Sequence, residues 1–103
     1  MTSLIENNKD KLIELCKKYK VSQLDLFGSA ATGEFDQEKS DLDFLVEFKE
    51  TVAEDRFDNF FNFLEELKQL FNRSIDLVET GGLKNPYFID MVNKTRKRIY
   101  AAT

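Results

Sequence analysis

The chain has no histidine and only one cysteine, Cys16, among its 103 residues. Those shortages exclude histidine-based catalytic triads, Cys/His zinc sites and an internal disulfide, so carboxylates must supply any metal ligands. Positive charge is in deficit too: fifteen Lys and Arg stand against nineteen Asp and Glu, a net charge of −4. A phosphate polymer needs a basic face to displace its counterions, so nucleic acid is not an expected partner. The one locally basic stretch, with Lys94, Arg96, Lys97 and Arg98, reads first as a solvated helix end whose cations suit the helix dipole. No apolar run approaches the roughly 20 residues that cross a bilayer, and the N-terminal residues lack the apolar stretch of a signal peptide. A cytoplasmic protein without membrane association is expected.

The chain is rich in large apolar side chains and in alternating pattern. Hydrophobic residues make up 42% and charged residues 33%, with a single proline, a composition far from disordered or low-complexity segments. This length serves one core, and residues 1–103 are expected to form a single domain. Ten phenylalanines and no tryptophan suggest that the phenylalanines share that core. Residues 4–19 have near-helical apolar spacing, with Ser3 and Glu6 placed as a capping box. Cys16 lies on the apolar stripe of this helix and reads as a packed thiol rather than a reactive one. Residues 21–27 form a short strand ending in Gly28 and Ser29, followed by one or two helical turns and a polar loop over 34–40. Residues 41–48 are a second, central strand. Residues 55–71 carry Phe57, Phe60, Phe61, Leu64, Leu67, Leu70 and Phe71 at three- and four-residue steps, a strong helical signal. Residues 74–79 are a third strand, Gly81 and Gly82 break it, and a helix over 86–94 opens on Pro86. Strands alternating with helices predict an α/β fold, a small mixed sheet packed with helices.

Three features of this pattern bear on chemistry. Asp41 and Asp43 are two residues apart at the start of a strand, so the period of two sends both carboxylates to one face and Leu42 and Phe44 to the other. Aspartate is depleted in strands and two like charges on one face repel, a cost that a divalent cation would offset. Gly28 and Ser29 sit between a strand and a helix start, where glycine permits close backbone approach and helix amides favour phosphate oxygens. Gly28 and Gly33 have the spacing of a Walker A loop, but Glu34 and Phe35 stand where that loop needs lysine and a hydroxyl residue, which excludes a P-loop ATPase. Asp76 is an isolated acid between Ile75 and Leu77 in the third strand.

With Gly28 and Ser29, eleven intervening residues, Asp41-Leu42-Asp43 and then Asp76, the chain resembles the minimal nucleotidyltransferases of the DNA polymerase β superfamily, a prokaryotic group often paired with HEPN-domain proteins. The likeness covers nearly the whole chain. It implies that Asp41 and Asp43 bind two catalytic Mg2+ ions, that Asp76 completes the metal site, and that Gly28 and Ser29 contact the triphosphate of ATP. Many members carry an arginine shortly after the Gly-Ser pair, where Thr32 stands here. The activity implied is transfer of AMP from ATP to a hydroxyl of a partner protein, a small helical one of HEPN type, in a toxin-antitoxin pair. Asp76 would assist removal of the hydroxyl proton, since no histidine exists to do so. The competing expectation is a nucleotidyltransferase fold that masks a partner without turnover.

Overall fold

The computed structural model describes residues 3–32, 41–49 and 53–102 of the chain, with the side chains of 53 and 54 left aside. Four strands form one mixed sheet in the order β3-β2-β1-β4. β1 is Val21–Phe27, β2 Leu42–Phe48, β3 Ile75–Glu79 and β4 Lys97–Ala101. β1 is antiparallel to both β2 and β4, whereas β2 and β3 run parallel. A parallel pair needs a long crossover, which the 19-residue helix α4, Ala53–Phe71, supplies. The expected mixed sheet with helices is therefore the fold observed. β4 is a fourth strand where the sequence offered only a short terminal segment.

The N-terminal helical stretch divides into α1, Ser3–Asn7, and α2, Lys9–Lys18. Asn8 lies between them, its side-chain amide donating to the Leu4 carbonyl at 2.9 Å, a local bond that competes with helix continuation. Ser3 is the first residue of α1 rather than a cap preceding it. The expected loop over 34–40 lies outside the described residues.

One face of the sheet carries the main core. Leu24 and Leu26 of β1, Leu42, Phe44 and Val46 of β2, and Ile75 and Leu77 of β3 pack there with Ile5, Leu12 and Cys16 from α1 and α2 and Phe63, Leu67 and Phe71 from α4. The buried stripe of α4 thus centres on Phe63, a residue the spacing argument did not use. Phe57 and Phe61, which it did use, are 71% and 47% exposed. They stack on each other at 4.5 Å, and Phe60 packs edge-on to Phe61 at 5.3 Å. The phenylalanines do not all share the core: Phe57 and Phe61, in the first half of α4, stay largely outside it. Cys16 is buried, and burial pushes its thiol up to about 12, consistent with a packing role.

The opposite face is covered in part by α5, Pro86–Thr95. Asn85 caps it by accepting from the amides of Tyr87 and Phe88, and Pro86 fills its first turn. Val92 packs against Phe27 and Leu45, flanked by Val78, Leu83 and Phe88. No helix among the described residues is long and apolar enough to cross a membrane.

Candidate active site

The partly covered face also carries the acids. In the ladders Asp43 of β2 lies opposite Phe27 of β1 and beside Asp76 of β3. Register neighbours project from one face, so both carboxylates emerge on the face that carries α5. Leu42 and Phe44 point the other way and are fully buried. Asp41 precedes β2 rather than belonging to it, and it is exposed, as is Asp76, while Asp43 is half-buried. Asp43 therefore bears the electrostatic load of the group. Its carboxyl is raised to about 6, first by burial and then by the charges of Asp76 and Asp41. Among the described residues no three such side chains stand close enough to cage an ion unaided. The donor set nonetheless suits a hard divalent cation: three carboxylates, with Asp41 and Asp76 exposed and their charges felt at Asp43.

Gly28 follows β1 with φ +73, a left-handed conformation that glycine adopts without strain. A Cβ at this position would lie 2.7 Å from Oδ2 of Asp43, so the missing side chain is what allows that carboxylate its place. The Gly28 amide donates to Oγ1 of Thr95 at 3.0 Å, and the Gly28 carbonyl accepts from the amides of Ala31 and Thr32. The one-turn helix α3, Ser29–Thr32, starts there. Ser29 is half-buried at its first position, and Thr32 is exposed with its hydroxyl donating to the Ser29 carbonyl. The fold thus brings Gly28, Ser29, Asp43 and Asp76 to one end of the sheet, with Asp41 beside them. Gly33 and the residues from 34 to 40 lie outside the described residues.

Two groups near this end escaped the sequence argument. Asp25 of β1 is 1% exposed and is held by Arg96, whose Nε donates at 2.7 Å, and by Arg98 at 3.4 Å. A lone aspartate between Leu24 and Leu26 was the available signal, and the basic stretch was its partner. That stretch is accordingly more than a solvated helix end: Arg96 and Arg98 pair with a buried acid, while Lys94 makes a surface pair with Asp90. Thr95 gave no signal at all.

A family model described as polymerase beta, nucleotidyltransferase matches residues 10–103. The chain belongs to that nucleotidyltransferase family. An assigned protein adenylyltransferase of Methanocaldococcus jannaschii is 45% identical over 73 residues, 71% of this chain and 70% of its own length. A second one from the same organism is 39% identical over 70 residues, 68% of each chain. Among solved structures, a chain described as a minimal nucleotidyltransferase superposes with TM-score 0.73 at 27% identity, covering 90% of both chains. A toxin-antitoxin structure with AMP-PNP gives TM-score 0.70 at 22% identity over 92% of this chain and 74% of that one. A Shewanella oneidensis complex of tri-AMPylated HEPN toxin with MNT antitoxin gives 0.64 at 19% identity over 94% and 72%, a likeness of fold. The cluster of Asp41, Asp43 and Asp76 beside Gly28 thus lies on a fold shared with these proteins.

Proposed function

We propose that this nucleotidyltransferase transfers AMP from ATP to a hydroxyl group of a partner protein, with Mg2+, and that Asp41, Asp43 and Asp76 with Gly28 and Ser29 carry the reaction. The observation behind it is the placement of Asp43 and Asp76 side by side in the ladder, under the charge of Asp41 and against the bare Cα of Gly28. Two Mg2+ ions, when bound, would neutralise charge on the attacking and leaving oxygens. Asp41 and Asp43 would hold them, with Asp76 as the third carboxylate. The acceptor oxygen forms a bond to the α-phosphorus while the bond from that phosphorus to the β-phosphate bridge oxygen breaks and pyrophosphate leaves. Asp76, exposed at the open edge, takes the hydroxyl proton on the acceptor side. Ser29, at the start of α3, positions the triphosphate, and Gly28 keeps that approach clear of a side chain. Since Thr95 holds the Gly28 amide, phosphate contacts there fall to Ser29 and the first turn of α3.

The adenylyltransferase assignment of the two archaeal relatives supports ATP as donor and protein as acceptor. A HEPN-type helical protein is the partner this reading selects, because chains of the same fold occur in complexes with such toxins. The deciding experiment incubates the protein and its co-purified partner with Mg2+ and labelled ATP and weighs the intact partner. An AMP-sized increment that needs Asp41, Asp43 and Asp76 supports transfer. A tight complex that binds ATP yet gains no increment would instead make the protein a masking module. With Asp76→Asn, ATP affinity should survive while turnover falls roughly 10² to 10³-fold, separating binding from chemistry.

A further inference from the structure

We infer that Thr95 is a positioning residue that sets the place and the acceptor capacity of the Asp43 carboxylate; this rests on the metal-site reading above. Gly28 is the first residue beyond β1, so its amide leaves the ladder and needs an acceptor. A charged acceptor is close by, since Oδ2 of Asp43 lies 2.7 Å from where a Gly28 Cβ would stand. The amide goes instead to Oγ1 of Thr95 at 3.0 Å. The hydroxyl proton of Thr95 is already donated to the Met91 carbonyl at 2.9 Å, which leaves a lone pair for the Gly28 amide and fixes its direction. A neutral hydroxyl thereby occupies an amide beside the Asp43 carboxylate and keeps it from drawing on an oxygen that a cation would use.

Thr95 can act in this way because its own position is fixed on three sides. It ends α5, whose Val92 is fully buried against Phe27 and Leu45. The following amide, that of Arg96, closes the helix on the Val92 carbonyl at 2.8 Å. The Arg96 side chain is anchored on Asp25, buried in β1 three residues before Gly28. The end of α5 is thus referenced to β1, and Thr95 passes that reference to the turn on which Asp43 rests.

The test uses Mn2+ as a probe of the metal-free protein, with amide exchange by NMR as an independent readout. In Thr95→Val, which keeps the shape and loses the acceptor, the Gly28 amide should exchange about tenfold faster. The Phe63 core amide should stay at the wild-type rate, and Mn2+ binding should weaken by about tenfold, the usual scale for groups that orient a metal ligand. Thr95→Ser should restore both. If Thr95→Val does not fold, Thr95→Ala carries the same comparison. Loss of Mn2+ binding in Asp43→Asn beside wild-type affinity in Thr95→Val would overturn the role of Thr95 alone, as would a Thr95→Ser variant as impaired as Thr95→Val. Undiminished Mn2+ binding in Asp43→Asn would overturn the metal-site reading and this inference with it.

Discussion

Asp43 is the residue at which the site's electrostatic cost is concentrated, and its titration makes that cost measurable. Its carboxyl lies near 6 in the folded chain because burial and two neighbouring acids penalise the charged form, while an unfolded chain would ionise it near the ordinary aspartate value. The native state then holds the proton over a pH range where the unfolded state has lost it. Without metal the penalty is present in full above pH 6 and fades as pH falls towards 4. Asp43→Asn should therefore stabilise the metal-free protein at pH 8, by about 1 kcal/mol once solvent screening is allowed for, and by almost nothing at pH 4. Urea unfolding at the two pH values checks this. Divalent-cation affinity of the wild type should drop as pH passes below 6, since the proton and the cation compete for one carboxylate. Gly28 is the complementary case. Gly28→Ala adds a Cβ 2.7 Å from Oδ2 of Asp43 in a left-handed backbone, so a loss of roughly 1 to 2 kcal/mol and weakened cation binding are expected. Combining it with Asp43→Ala should return part of the stability, a coupling that a double-mutant cycle reads directly.

Among the elements, β1 is the reference to which the others are fixed. It pairs with β2 on one side and β4 on the other, and Asp25 within it gathers Arg96 from the end of α5 and Arg98 from β4. An ion pair this deeply buried gains little over an apolar substitute, but removing one member strands the other. Asp25→Ala should cost about 1 to 3 kcal/mol in urea unfolding, because Arg96, 30% exposed, loses its anion while keeping some contact with water. Arg98→Ala, whose side chain is 55% exposed and whose contact is longer, should cost less than about 1 kcal/mol. α4 tests the packing side of the same argument. Leu67→Ala removes a fully buried side chain and should cost about 2 to 5 kcal/mol, whereas Phe57→Ser alters an exposed ring and should fall within about 0.5 kcal/mol of wild type.

For the molecule as a whole, the two sheet faces divide the work. One face is sealed by α1, α2 and α4 and supplies the stability; the other is covered by α5 only in part and keeps the acids accessible. This division lets ligation act on global stability. If the acids hold metal and nucleotide as proposed, Mg2+ with ATP should stabilise the folded state by about 2.7 kcal/mol at a hundred times the dissociation constant. The effect should appear as a thermal shift in the wild type and vanish in Asp41→Asn. An identical shift in the variant would place the nucleotide elsewhere.

The alternation in residues 41–48, the helical spacing of residues 55–71 and the proline-led final helix are local patterns, and each determines its element without tertiary partners. The same alternation placed Asp43 on the face away from Leu42 and Phe44, because side-chain direction in a strand depends on parity alone. What only the tertiary structure decided depends on partners distant in the chain. β4 carries exposed Lys97 and Arg98, and its strand character comes from pairing with β1 some 70 residues earlier. Asp41 falls just outside β2, a boundary that the chain's path, not its composition, sets. Asp25 finds its partners in Arg96 and Arg98, 71 and 73 positions later, and Phe57 and Phe61, read as core from their spacing, are 71% and 47% exposed. Thr95 meets Gly28 across 67 positions of sequence through a single hydroxyl, a contact that no spacing rule can encode because it exists only once β1 and α5 have docked.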